Sequence, residues 1–346
     1  MKISIAISGG TDSLFALLSL REQGHEVTAV HARFLPTLKN DPVPAMRKLC
    51  NRFGIPLVLA DLTASFAEQV MTPFALIHIR ARTPNPCALC NRTMKFGLLM
   101  DAALKHGERY ATGHYAAMVE HPVYGLTLRS GSDGKKDQSY FLALVPVERL
   151  RLCVFPLAEK KKTDVRAWLA KRGLTPPAPT ESQEICFVPE NDHYAWLKAW
   201  SQGTGTPLPG AGPMVLEGEG RVIAAHRGLW NYTEGQRRGL GIACKEALYV
   251  LRRLPESNTL VVGTRDRLVT DSCCAREVNL MVPCALWPEE VFVRTRYHQR
   301  PTAAHVDICG DVLKITFASP QSPHAPGQIA AVYDRDGFLL AGGVLD

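Results

Sequence analysis

The sequence predicts an α/β protein: a doubly wound parallel sheet, followed by a small central domain and a C-terminal β-barrel. Three observations carry this. Short apolar runs alternate with helical stretches through the N-terminal part of the chain, as in repeated βα units. The first run, Ile3–Ile7, ends in Ser8-Gly9-Gly10-Thr11-Asp12-Ser13 and opens into a helix at Leu14. From about residue 270, closely spaced alternating segments parted by Gly and Pro replace that pattern, as in a small barrel.

In chain order, Glu26–His31 reads as the second strand, Ala45–Phe53 as a helix, and Ile55–Ala60 as the third strand. Phe66–Ile77 reads as a helix, and Arg109–Tyr115 as a strand running into a loop. Thr163–Lys171 reads as a helix capped by Thr163, and Leu174–Pro179 as an extended proline loop. Val291–Tyr297, Val312–Phe317 and Gln328–Tyr333 read as barrel strands. The 346 residues allow two or three domains, which we place at 1–200, 201–268 and 269–346.

Composition narrows the class. At 46% hydrophobic residues the chain can build real cores, yet it has no apolar run long enough to span a membrane. Met1–Ala6 reads as a strand rather than a signal peptide. Ten cysteines without an export signal point to the cytoplasm and to mostly unpaired thiols. The net charge of +7 permits a nucleic-acid partner without demanding one. Trp230, Tyr232, Arg227, Arg237 and Arg238 are close in sequence, a composition suited to an RNA loop or to a solvated basic face.

Chemistry concentrates at two places. Ser8–Ser13 lies between a strand and a helix, where backbone N–H groups and a helix N-terminus favour a phosphate. It lacks both the Walker A ending and GxGxxG. The second place is Thr83-Pro84-Asn85-Pro86-Cys87-Ala88-Leu89-Cys90-Asn91-Arg92. Its prolines fix an extended loop before a helix expected near Met94. Cys90 is then expected near a helix N-terminus with Lys95 close by, where a thiolate is favoured. A lone CxxC also suits a zinc half-site or a redox pair. No second CxxC supplies the other half of a zinc site.

With these motifs assembled, a resemblance is plain. Ser8–Ser13 resembles the PP-loop of ATP pyrophosphatases, whose sheet is of the HUP type. Thr83–Arg92 with Lys95-Phe96 resembles the signature of the tRNA-specific 2-thiouridylases. Ala111–Ala116, Lys136–Leu142, Glu181–Phe187, Gly235–Gly241 and Pro326-Gly327-Gln328 fit the same family, in order along the chain.

The resemblance implies ATP-dependent 2-thiolation of the tRNA wobble uridine. ATP, with Mg²⁺, would be held by Ala6, Ile7, Ser8, Gly9, Gly10, Thr11, Asp12, Ser13 and Gly113. It would adenylate the C2 oxygen of a base flipped from the anticodon stack. Cys186 would accept sulfur as a persulfide from a cysteine desulfurase or sulfur-relay protein. Cys90 would finish release by forming a disulfide with Cys186. Asn85, Pro86 and Cys87 would line the base site. His114, Lys136, Asp137, Gln138, Arg296, Tyr297 and Gln328 would contact tRNA.

Cys87, which stands where some members carry a carboxylate, would act as a base. Alternatively, Cys87, Cys90 and Cys186 would bind an iron–sulfur cluster. Cys50, Cys153, Cys244, Cys284 and Cys309 read as buried, unreactive thiols. The chain departs from the family pattern at Thr11, at Arg33–Pro44, at His78–Ala81 and at Glu234, where an apolar residue is usual.

Overall fold

The computed structural model describes residues 1–36, 41–178 and 184–346. Glu181-Ser182-Gln183, Pro179, and part of Arg33–Pro44 lie outside the described residues. β1 (Lys2–Ala6), β2 (Glu26–Arg33), β3 (Leu57–Asp61) and β4 (Arg109–Ala111) run parallel. β5 (Ala116–His121) and β6 (Gly125–Ser130) form an antiparallel hairpin. β7 (Cys153–Val154) completes a five-stranded sheet of order β3-β2-β1-β4-β7.

The chain moves outward from β1 to β3, then returns to the other side of β1 as β4. The order therefore reverses between β1 and β4, the position at which a doubly wound sheet offers a ligand site at the carboxyl ends of its strands. Ile3, Ser4 and Ile5 are all buried, because helices cover both faces of β1. The helix Thr11–Glu22 buries Leu14, Phe15, Leu17 and Leu18 and packs on the helix Lys162–Lys171, with Phe15 edge-on to Trp168 at 5.0 Å.

The central domain is built on β8 (Gly212–Leu216), β9 (Val222–His226), β10 (Tyr249–Leu254) and β11 (Thr259–Gly263), in the order β10-β11-β8-β9. Its core gathers Met214, Leu229, Tyr232, Val250, Leu260 and Val262. β12 (Thr270–Leu280), β13 (Val291–Arg294), β14 (Thr302–Cys309), β15 (Val312–Gln321), β16 (Ile329–Tyr333) and β17 (Leu339–Leu345) close into an antiparallel barrel, β12-β15-β14-β13-β16-β17. The barrel is not a separate body. Ile315, Val332 and Leu340 share one apolar cluster with Tyr110, Leu142 and Val145 of the first domain.

Several local expectations need correction. Helix Lys162–Lys171 starts one residue early, and Thr163 does not cap it. Instead Asp133 Oδ2 accepts the Lys162 N–H at 3.0 Å, while the Thr163 hydroxyl turns to Asp164. The helix expected over Phe66–Ile77 is three pieces, with a wide turn at Ala67–Met71 before Thr72–Ile79. Pro73 lacks the N–H that would continue the ladder. Cys50 and Cys153 are buried as expected, but Cys244, Cys284 and Cys309 are exposed. Cys309 ends a strand on its outward side, and Cys244 and Cys284 lie in connections.

Candidate functional site

The loop after β1 is stitched by its serines. Ser13 Oγ donates to Gly10 O at 3.0 Å and accepts the Ser8 N–H at 3.2 Å. Gly9 sits at φ +83°, a conformation that penalises any Cβ. Gly10 caps the helix Thr11–Glu22 without a side-chain hydrogen bond, leaving the first-turn N–H groups for an anion. From the neighbouring strand, Gly113 packs on this turn. A Cβ there would stand 3.0 Å from the Asp12 carbonyl carbon and the Ser13 nitrogen.

Ala6, Ile7, Ser8, Gly9, Gly10, Thr11, Asp12 and Ser13 thus lie with Gly113 at the carboxyl ends of β1 and β4, with Ile7, Gly9 and Ser13 buried. Asp12 has both oxygens engaged: Tyr115 Oη donates to Oδ1 at 2.8 Å, and Lys162 Nζ to Oδ2 at 2.6 Å. The sequence did not mark Lys162. It sits in the run Lys160-Lys161-Lys162, which reads as a solvated face, yet it is buried because the helix begins there and turns it inward.

The cysteine loop differs from expectation in an informative way. Asn85 is the N-cap, its Oδ1 accepting the Ala88 N–H at 3.1 Å, and the helix starts at Pro86. Cys87 therefore occupies the first turn, and Cys90 lies one turn in. The helix continues through a wide-turned stretch, Asn91–Leu98, broken at Gly97, before Leu99–Ala103. Arg149 satisfies the break: its Nε donates to Phe96 O at 2.7 Å and its Nη2 to Gly97 O at 3.0 Å.

Cys90 is buried against Phe66, Val70, Phe74, Met94 and Phe187. That burial pushes its thiol up to about 12, overturning the expected thiolate. Burial also raises Cys87 and Cys186, although both open to solvent. Phe187, the neighbour of Cys186, shares the apolar cluster of Cys90 and packs on Phe66, Phe74 and Trp196 with ring centroids 5.1–5.7 Å apart. The Lys95 ammonium opposes the rise at all three sulfurs. All ten cysteines are unbridged thiols. Among the described residues, no three Cys, His, Asp or Glu side chains are placed to hold a metal ion, so the cluster reading gains nothing from this geometry.

The two clusters meet through one loop. Gly113 touches Asp12 and Ser13, while the next residue, His114, packs at 5.5 Å on Phe96 within the field of Lys95. His114 is buried, with Nδ1 2.9 Å from Thr112 Oγ1, and burial holds its pKa well below the ordinary value. It is thus a buried side chain, uncharged at neutral pH, rather than an exposed one.

The remaining predicted tRNA residues divide. Asp137 is buried. Its carboxylate accepts from Gly131 N and Ser139 N, each at 3.1 Å, and from Arg294 Nη1 at 2.8 Å. Its side chain therefore locks the first domain to the barrel. Gln138 Oε1 accepts the Tyr115 N–H at 3.1 Å. Lys136 is half-buried, Arg296 is exposed, and Tyr297 lies 4.4 Å from the Phe141 ring. Gln328 Nε2 donates to Thr83 O at 3.1 Å and Pro84 O at 2.9 Å, holding the cysteine loop from the barrel. Trp230 and Tyr232 are buried and offer no stacking face, whereas Arg227, Arg237 and Arg238 are exposed.

Comparisons with known proteins agree with this layout. Family models described as "tRNA methyl transferase HUP domain", "tRNA methyl transferase PRC-barrel domain" and "Aminomethyltransferase beta-barrel domain" match residues 1–190, 208–264 and 270–345. The chain is 52% identical to the tRNA-specific 2-thiouridylase MnmA of Nitratidesulfovibrio vulgaris (strain DP4), covering 100% of this chain and 99% of that one. It is 45% identical to the namesake from Lawsonia intracellularis, again over 100% and 99%. With the Treponema denticola protein of that name it shares 34% identity, over 100% and 98%.

Proposed function

Since this chain belongs to the tRNA-specific 2-thiouridylase family and is a tRNA sulfurtransferase, we propose that it thiolates C2 of the wobble uridine through an ATP-adenylated base and a cysteine persulfide. The observation that carries this reading is the Thr112–Tyr115 loop. It touches the anion loop through Gly113 and faces the sulfur cluster's Lys95 through His114. A nucleotide and a base activated by it then share one crevice with three thiols.

The chemistry divides among the residues as follows. Ser8–Ser13 hold the phosphates by backbone N–H groups and the helix N-terminus. The uridine O2 attacks the α-phosphorus and pyrophosphate leaves. The terminal sulfur of a Cys186 persulfide attacks C2 and AMP departs. Cys90 Sγ then attacks Cys186 Sγ, which releases 2-thiouridine and leaves a Cys90–Cys186 disulfide. A thiol reductant resets the pair. Buried Cys90 sits inertly among aromatic rings until a substrate complex draws it to Cys186. Mg²⁺ would enter with ATP. Asp12, the loop's carboxylate, has both oxygens engaged in this conformation, so we assign the ion no step.

Catalysis belongs to residues 1–200 in this scheme. Exposed Arg237 and Arg238 of the 201–268 region and Arg296 of the 269–346 barrel bind tRNA phosphates. No helix among the described residues is long and apolar enough to cross a membrane. We place the enzyme in the cytoplasm, where tRNA, a persulfide donor and reduced thiols are available. The test is the nucleotide product: incubation with ATP, tRNA and a persulfide donor yields AMP and pyrophosphate. ADP and phosphate would refute the adenylation step.

A further inference from the structure

A buried ion pair in the central domain reaches into the cysteine loop. Arg253 on β10 pairs two-pronged with Glu234: Nε donates to Oε1 at 2.9 Å and Nη2 to Oε2 at 2.6 Å. The Arg253 side chain is fully shielded from solvent, and Glu234 is nearly so. Nη1 donates to Tyr232 O at 2.7 Å, which fixes the guanidinium plane on a second edge. With its plane fixed, Nη2 donates to one further acceptor outside the central domain, Thr83 Oγ1 at 2.9 Å.

Thr83 is where the domains meet. Its N–H donates to Pro326 O of the barrel at 2.6 Å, and its carbonyl accepts from Gln328. Two residues earlier, Ala81 takes φ +53° to place its methyl in the central domain's core. Two residues later, Asn85 caps the helix that carries Cys87 and Cys90. Burying two charges costs desolvation that an apolar pair of similar volume would avoid, so this pair is poorly explained by stability alone. It is well explained by direction, because a fork held on both edges aims a hydrogen bond as a rotatable group cannot.

We infer that Glu234 and Arg253 are positioning residues for the transfer, setting Thr83 so that Asn85 and Cys87 meet the base in register. As a claim about catalysis this rests on the thiolation reading; as a claim about the loop it does not.

The test uses the full chain with Thr83→Val, Thr83→Ser, and the paired apolar replacement Glu234→Leu with Arg253→Met. Thr83→Val and the paired variant should each lose about tenfold or more in kcat, while KM for tRNA stays within about threefold. Their combination should be no worse than either alone, as for residues acting through one contact. Thr83→Ser, which keeps the hydroxyl, should restore most of the loss. Iodoacetamide labelling of Cys87, read by peptide mass spectrometry without ATP or tRNA, should change in both impaired variants while exposed Cys309 labels as in wild type.

A folded paired variant with wild-type kcat and wild-type Cys87 labelling would overturn the inference. Equal losses in Thr83→Ser and Thr83→Val would do the same. If the paired variant does not fold, Thr83→Val against Thr83→Ser carries the test, since it changes a single half-buried hydroxyl. If the wild type thiolates nothing but Cys87 labelling still shifts, the positioning role stands and the functional reading falls.

Discussion

Lys162 Nζ lies 2.6 Å from Asp12 Oδ2, so a lysine 150 residues further along the chain neutralises the acid of the anion loop. Without it, the Asp12 charge would face incoming phosphates. Lys162→Met should therefore weaken ATP binding by about tenfold or more and cost about 1–3 kcal/mol of stability, less than the roughly 3–5 kcal/mol for breaking a fully buried pair because Asp12 is partly exposed. Adding Asp12→Asn should recover part of the affinity. Calorimetric ATP titration of the folded variants decides; unchanged affinity in Lys162→Met would remove the lysine from the nucleotide site.

The cysteines should be slow to react at rest. Burial raises all three thiols, Cys90 to about 12, and Lys95 opposes that rise. At neutral pH the thiol form dominates, and alkylation of Cys87 and Cys186 should accelerate as pH rises above the ordinary thiol range. Lys95→Met removes the opposing cation and should move those profiles to still higher pH. Site-resolved labelling between pH 6 and 10 measures this, and profiles unmoved by Lys95→Met would show that its charge does not reach the sulfurs.

The sheet and the turn between its first strand and first helix were legible because they are written locally: an apolar run, a glycine turn and a helix start at Ile3–Leu14. The placement of Cys90 was not. Hydrophobic periodicity begins near Met94, but the Asn85 cap and Pro86 start the helix eight residues earlier. Lys162 and Arg253 were illegible for another reason, as was the partner of Glu234, which itself stood out only as a charge where an apolar residue is usual. Their partners are Asp12, Thr83 and each other, and no local pattern distinguishes a lysine that turns inward from one that is solvated. Trp230 and Tyr232 have the composition of an RNA-stacking surface, yet both lie in the core, because exposure is settled by tertiary packing.

RNA affinity should come from exposed arginines. Replacing Arg237 and Arg238 together with alanine should weaken tRNA binding at low salt. The slope of log affinity against log salt should fall by about one for each phosphate left without its arginine. ATP affinity should not change. Deleting the barrel is a poor test, because it strips apolar surface from the shared core. Filter binding across a salt series suffices, and an unchanged slope would place the RNA surface elsewhere.

Acid stability should depend on His78. Burial, then the neighbouring His193 and Arg253, hold its pKa at about 3 instead of 6.5. Between those values the unfolded chain binds more protons, so this contribution is complete above pH 6.5 and is lost as pH falls. The slope is about 1.4 kcal/mol per pH unit for one proton. Its Nδ1 has no hydrogen-bond partner among the described residues, so His78→Leu leaves no partner orphaned. Urea unfolding at pH 7 and pH 5 should show wild type losing more stability than His78→Leu by about 1–2 kcal/mol. Equal losses would mean that His78 is protonated in the folded protein.

The most direct test of the sulfur relay is mass spectrometry of wobble nucleosides and of the protein after one turnover. Wild type, Cys186→Ser and Cys90→Ser are each given ATP, unmodified tRNA and a persulfide donor, anaerobically and without reductant. Wild type should be colourless, form 2-thiouridine and end with a Cys90–Cys186 disulfide. Cys186→Ser should carry no transferable persulfide and make no product. Cys90→Ser should carry the Cys186 persulfide yet fail to release 2-thiouridine. Wild-type protein that binds iron and loses thiolation in proportion to iron removal, with no disulfide between Cys90 and Cys186, would contradict the relay.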